Sequence, residues 1–131
     1  MGTMKKFLTI LISLLIFVFI GAAGVFFYVK AQPVPVVEIG TVDLKNVRDG
    51  SYTGEYEEGL VKVIVTVDVV SGRINTVKIE RHECGLGKKA EEITREIEKA
   101  QSLNVDTISG ATLSSRVILK AVEVALEKGK R

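Results

Sequence analysis

The residues whose types and spacing point most directly to chemistry form the run Asp106-Thr107-Ile108-Ser109-Gly110-Ala111-Thr112-Leu113-Ser114-Ser115. Gly110 and Ala111 carry almost no side chain, so the backbone there can approach a ligand closely. The run leads directly into an apolar helical pattern, and the first N–H groups of any helix lack intrahelical partners. Such a terminus attracts a phosphate. Ser and Thr are also ordinary N-cap residues, and on residue types alone capping is the simpler reading. A second segment, Arg81-His82-Glu83-Cys84-Gly85-Leu86-Gly87, ends in closely spaced glycines that need be no more than a turn feeding a helix at Lys88. His82 and Cys84 are the one histidine and the one cysteine of the chain. A zinc or copper site would need further soft ligands, so no metal site is expected. A single His supports no Ser-His-Asp arrangement, and a single Cys forms no internal disulfide. No catalytic residue is expected.

The elements that must position these segments are legible from periodicity. Val61, Val63, Val65, Val67 and Val69 occupy alternate positions of Leu60 to Val70, which is a strand with one face built wholly of valine. Val70-Ser71-Gly72-Arg73 is turn chemistry, and Ile74 to His82 resumes a strand with Val77 and Ile79 in phase, giving an antiparallel hairpin. Ser51 to Tyr56, after the Asp49-Gly50 turn, adds another strand. The period then changes: Ala90, Ile93, Ile97 and Ala100 mark one face of a helix, with Glu91 and Arg95 paired four apart. The many Glu of that helix read as a solvated face. A last helix runs from Leu113 to Lys128, where Arg116, Lys120, Glu123 and Glu127 make one narrow polar stripe and the remaining circumference must be buried on the valine face. Strands first and helices afterwards predict an α+β fold, an antiparallel sheet packed on helices.

The hydrophobic fraction of 47% is unevenly distributed. Phe7 to Tyr28, 28 − 7 + 1 = 22 residues, contains no charge and takes all five Phe of the chain. At about 1.5 Å per helical residue it crosses the roughly 30 Å hydrocarbon layer of a bilayer. No second such stretch exists, which excludes a multi-span transporter for this chain alone. A signal peptide has a shorter apolar region ending at a small-x-small site, so a retained anchor is the favoured reading. Lys5 and Lys6 precede the span and Lys30 follows it, which places the N-terminus in the cytoplasm and the rest outside. The expected organisation is residues 1–31 as cytoplasmic end and transmembrane anchor, 32–48 as a linker stiffened by Pro33 and Pro35, and 49–131 as the functional domain. Beyond the anchor, 18 − 3 = 15 bases face 16 acids. That near-neutral remainder, without Phe or Trp, lacks the basic stripe and stacking platform of nucleic-acid binders.

The order of residues in the first segment adds a resemblance. Asp106, Ser109, Gly110, Ala111 and Thr112, in the pattern D-x-x-S-G-A-T, resemble the flavinylation sequence of FMN-binding domains. These occur in peripheral subunits of Rnf-type and sodium-translocating NADH:quinone reductase complexes and in small membrane-anchored flavoproteins. The resemblance extends from about Asp49 to Lys128. It implies FMN joined through a phosphodiester to Thr112 by a dedicated flavin transferase, which would recognise Asp106 and the Ser109-Gly110 turn. Leu113 and Ser114 follow the attachment point and fall within the implied cofactor-binding set. Glu83 and Gly85-Leu86-Gly87 are similar to the E-T-P-G-L-G loop of the complex subunits, with Cys84 standing where that family has two residues.

Three functions follow for comparison. The full motif favours a membrane-anchored extracytoplasmic flavoprotein passing electrons between redox partner proteins. A non-redox binding or assembly module on a membrane stalk would use the Ser/Thr-rich run only as a cap. A reductase with noncovalent FMN would need a closed substrate pocket, for which the soluble part offers little room. Only Tyr52 and Tyr56 are available there to stack on a flavin, so a shallow, exposed site held by a covalent tether is expected.

Overall fold

Every second residue of the valine run is buried, and the sheet that results is the centre of the fold. The computed structural model describes residues 2–31, 33, 36–83 and 87–131. They fall into two compact units, Met1–Val34 and Pro35–Arg131. The first is the helix α1, Gly2–Ala31, with a mean hydropathy of 2.8 over its most apolar 18 residues and no buried residue. Its 30 residues are long and apolar enough to cross a membrane, by a test that a signal sequence would also pass. The hydroxyls of Thr9 and Ser13 bond back to the carbonyls of Lys5 and Ile10 at 2.7 and 2.8 Å, so both are satisfied within the helix.

In the second unit, β1 (Gly50–Glu58), β2 (Val61–Val70) and β3 (Arg73–Glu83) form a three-stranded antiparallel meander in that order. A 3-10 turn (Lys88–Glu92), α2 (Ile93–Ala100) and α3 (Thr112–Lys128) follow, giving the α+β architecture that the patterns predict. Val63, Val65 and Val67 are fully buried, whereas Lys62, Ile64, Thr66 and Asp68 lie half-buried on the other face. β3 does not keep a simple alternation. Its register against β2 shifts between Ile64 and Val65 and again between Asp68 and Val69, so Ile74, Val77, Ile79 and His82 lie opposite the inward valines.

Helix α3 packs on β1 and β2 through its small residues. A side chain at Gly54 would clash with the Ala121 carbonyl and lie 2.6 Å from the Ala125 nitrogen, so the helix backbone rests directly on β1. Val117, Ile118, Ala121, Val122, Ala125 and Leu126 are fully buried, as the apolar circumference requires. Part of the polar stripe of α3, Arg116 and Glu123, meets chain from the 36–48 segment, while Glu127 stays exposed. The buried Glu123 carboxylate accepts the Gly40 N–H at 2.9 Å and pairs with Lys120 at 3.0 Å, and Arg116 reaches the Val37 carbonyl. Val37 and Val47 belong to the core at 3% and 2% exposure, so chain before residue 49 is part of the folded unit.

Ala90, Ile93 and Ile97 are buried as their spacing predicts, but Ala100 is exposed because the helix ends there. Glu91, which the helical spacing pairs with Arg95, instead meets His82. The outer edge of β3 is covered by α2. Gln101 accepts the Ile74 N–H at 2.8 Å and donates to its carbonyl at 2.9 Å, while Glu98 accepts the Val77 N–H at 2.8 Å. These contacts satisfy strand groups that would otherwise be open for pairing with another chain.

Candidate functional site

The run between Asp106 and Ser115 folds into a tight turn and the first turn of α3. Ala111 N–H donates to the Ile108 carbonyl at 2.9 Å, closing a four-residue turn whose third residue, Gly110, has φ +77°. Only glycine adopts that conformation without cost, which fixes the residue type. The turn is braced from within by Ser115, which is fully buried. Its Oγ accepts the Ile108 N–H at 3.0 Å and donates to the Ala111 carbonyl at 2.7 Å.

Outside this brace, Asp106, Ser109, Gly110 and Thr112 are exposed, Leu113 is half-buried, and Ala111 and Ser114 are buried. Ala111 is the N-cap, and no side chain bonds to the helix terminus. The simple-capping reading of the Ser and Thr residues therefore does not hold. Among the described residues the N–H groups of Thr112, Leu113 and Ser114 have no hydrogen-bond partner, and Thr112, the first residue of that turn, is exposed.

The second segment meets the first through a residue that the sequence did not single out. Glu83, exposed at the end of β3, is ion-paired with Arg81. Cys84, Gly85 and Leu86 lie outside the described residues. Gly87 is half-buried and starts the 3-10 turn, accepting the Ala90 N–H at 3.0 Å. From that turn Lys89 extends over the motif: a Cβ on Gly110 would lie 3.0 Å from its Nζ and 3.4 Å from its Cε. No ion-pair partner for Lys89 is found among the described residues. Nothing in the sequence pattern distinguishes it from Lys88 beside it, because only the tertiary approach of the two segments does so.

His82 is enclosed at the same end of the sheet, its side chain 2% exposed. Its Nδ1 lies 3.0 Å from the Glu91 carboxylate, and its Nε2 is buried without a partner among the described residues. Tyr56 lies opposite Val63, which is opposite His82, so these three form one row across the sheet. Tyr52 is at the other end. Gly129, just past α3, packs on its ring, which places Tyr52 roughly 25 Å from Thr112 along a helix rising about 1.5 Å per residue. Of the two tyrosines considered for stacking, only Tyr56 is near the motif end of the sheet.

Uncapped N–H groups at the start of α3, a tight turn with glycine at its third position, an ammonium close to that glycine and an exposed hydroxyl lie within one short stretch of the fold. That set fits a phosphate, through the helix terminus and through charge. Fold and site together define a small α+β domain with a surface turn and helix terminus of a kind that suits a phosphate-bearing ligand. The family model described as the FMN-binding domain matches residues 58–127, more than half of the chain and inclusive of the whole motif, and the chain belongs to that family. FMN is its cofactor. No curated protein and no solved structure matches the chain.

Proposed function

We propose that this chain is a membrane-anchored, extracytoplasmic electron carrier whose FMN is joined to Thr112 through a phosphodiester. The observation that carries the reading is the Thr112 hydroxyl itself, exposed at an uncapped helix terminus and at the last position of the D-x-x-S-G-A-T order. Its bond formation is an ordinary substitution at phosphorus. Oγ loses its proton, the Oγ–P bond forms, and the leaving group of an activated flavin phosphate departs, a flavin transferase supplying the activation. FMN supplies one- and two-electron chemistry.

The chain's own residues bind and orient. The first-turn N–H groups of Leu113 and Ser114 take the phosphate charge, the exposed Asp106 and Ser109-Gly110 turn is what the transferase reads, and the buried Ala111 seats the turn against the core. Glu83, Gly85, Leu86 and Gly87 enter the proposed cofactor-binding set through their likeness to the family's loop alone. The partners are redox proteins at the same membrane, in an Rnf-type or sodium-translocating reductase assembly or in a simpler chain. The Lys5-Lys6 pair in α1, just before its charge-free run, supports a cytoplasmic N-terminus, with the flavin domain outside.

The test is intact mass of the full chain coexpressed with and without an active extracytoplasmic flavin transferase. The expected product is heavier by FMN less one water, survives denaturation, and is absent in Thr112→Ala. Flavin that is lost on denaturation would favour the noncovalent reductase. A wild-type chain that never acquires flavin would leave the binding-module reading.

A further inference from the structure

We infer that the Lys89 ammonium is the counter-charge of the FMN phosphate, so the turn following the glycine loop fixes the cofactor at its phosphate end. The inference rests on the proposal that FMN is attached at Thr112, and it adds a residue outside the motif. Lys89 is exposed and comes from the 3-10 turn Lys88–Glu92, yet its Nζ stands close enough to Gly110 to be 3.0 Å from a Cβ there. Gly110 is two residues before Thr112, in the tight turn that Ser115 braces. A phosphodiester keeps one negative charge throughout the working pH range. At Thr112 it meets first-turn N–H groups that no side chain has satisfied.

Among the described residues no nearby acid is ion-paired with Lys89: Glu91 is engaged with His82 at 3.0 Å and Glu83 with Arg81, and Glu92 makes no ion pair with it. A lysine ammonium and a phosphate monoanion within a few ångströms attract strongly only where solvent is partly excluded. At an exposed site the pair is screened by salt. Lys89 therefore acts as a positioning residue, and its contribution falls as ionic strength rises. It also gives a physical reason for the two informative segments to lie together. One carries the phosphate and the other carries the charge that meets it.

The test uses the full chain in detergent, coexpressed with an active flavin transferase, as wild type, Lys88→Gln, Lys89→Gln and Lys89→Arg. Intact mass is read first. If the wild type carries no covalent flavin, the proposal for Thr112 fails before Lys89 is examined. With flavin in place, the phosphorus NMR resonance of the phosphodiester is compared at low and high salt. The expected result is that Lys88→Gln matches the wild type and Lys89→Arg stays close to it. Lys89→Gln should move the resonance toward its position in the unfolded loaded chain, and high salt should move the wild type the same way. A Lys89→Gln variant that loads poorly while Lys89→Arg loads fully supports the same charge at the attachment step. Loading lost equally in both Lys89 variants, or a resonance in Lys89→Gln that coincides with the wild type, overturns the inference.

Discussion

The Ser115 hydroxyl accepts the Ile108 N–H and donates to the Ala111 carbonyl, so it closes the motif turn from inside while the Thr112 hydroxyl stands in solvent. Ser115→Ala leaves the Ile108 N–H without its partner and should cost about 1 to 3 kcal/mol, read by denaturant unfolding. Thr112→Ala removes a hydroxyl that caps nothing, and surface changes of that kind stay within about 0.5 kcal/mol. Stability should thus be kept in Thr112→Ala while covalent flavin disappears. Equal destabilisation by the two variants would contradict this division of labour. Gly110→Ala forces an L side chain into left-handed backbone, at about 1 to 2 kcal/mol, and makes the flexible end of Lys89 shift slightly. The motif was legible in sequence because its information lies in residue order over a few positions. Lys89 was not, since its proximity to Gly110 depends on how a distant loop folds back.

The sheet follows its sequence closely in β2, where five valines set one face and the burial of all five follows. Val65→Asp would place an unpaired carboxylate among fully buried side chains and should abolish cooperative unfolding or sharply lower the melting temperature. On the other face, Lys62 is paired with Glu55 at 2.7 Å and lies 3.8 Å from Glu57, so Lys62→Gln should be mild. Comparable losses from the two would mean that the inward face was misassigned. The Lys62 ammonium, hydrogen-bonded and close, holds the Glu55 carboxyl below its ordinary range, and Glu55 in turn raises Lys62. A lowered carboxyl stabilises above its unfolded pKa and loses that contribution as pH falls through the folded one. A raised ammonium stabilises below its unfolded pKa and loses it as pH rises through the folded one. The difference in melting temperature between wild type and Lys62→Gln should accordingly be present near neutrality and vanish at both extremes of pH. β3 was harder to read. Extending the Val77 and Ile79 alternation would turn Arg81 inward, whereas the register shift at Ile64/Val65 brings His82 to the inward side opposite Val63. A bulge leaves no mark in hydrophobic periodicity, so the burial of His82 against Glu91 was visible only in three dimensions.

At the scale of the whole molecule, the two units differ in kind: one is an apolar helix without a buried residue, the other a domain with a core of its own. The α3 stripe of Arg116, Lys120 and Glu123 is polar because it receives backbone from the 36–48 segment. Nothing in the sequence of that segment, which follows Pro33 and Pro35, marks Val37 and Val47 as core residues. The apolar helix, by contrast, is legible from composition alone, since a charge-free run of that length has few other uses. Length and hydropathy do not separate a retained anchor from a cleaved signal sequence, but the cell's handling of the chain does. A retained α1 predicts that the protein stays in the membrane fraction after high-salt and alkaline washing, with an N-terminus at or near Met1 by intact mass. A soluble form beginning after Tyr28 would rule out the anchor. With Lys5 and Lys6 held on the cytoplasmic side, protease added outside intact cells should digest the chain from Gln32 onward and release the flavin with the fragment. Digestion only in inverted vesicles would reverse the topology, and with it the compartment in which a flavin transferase must work.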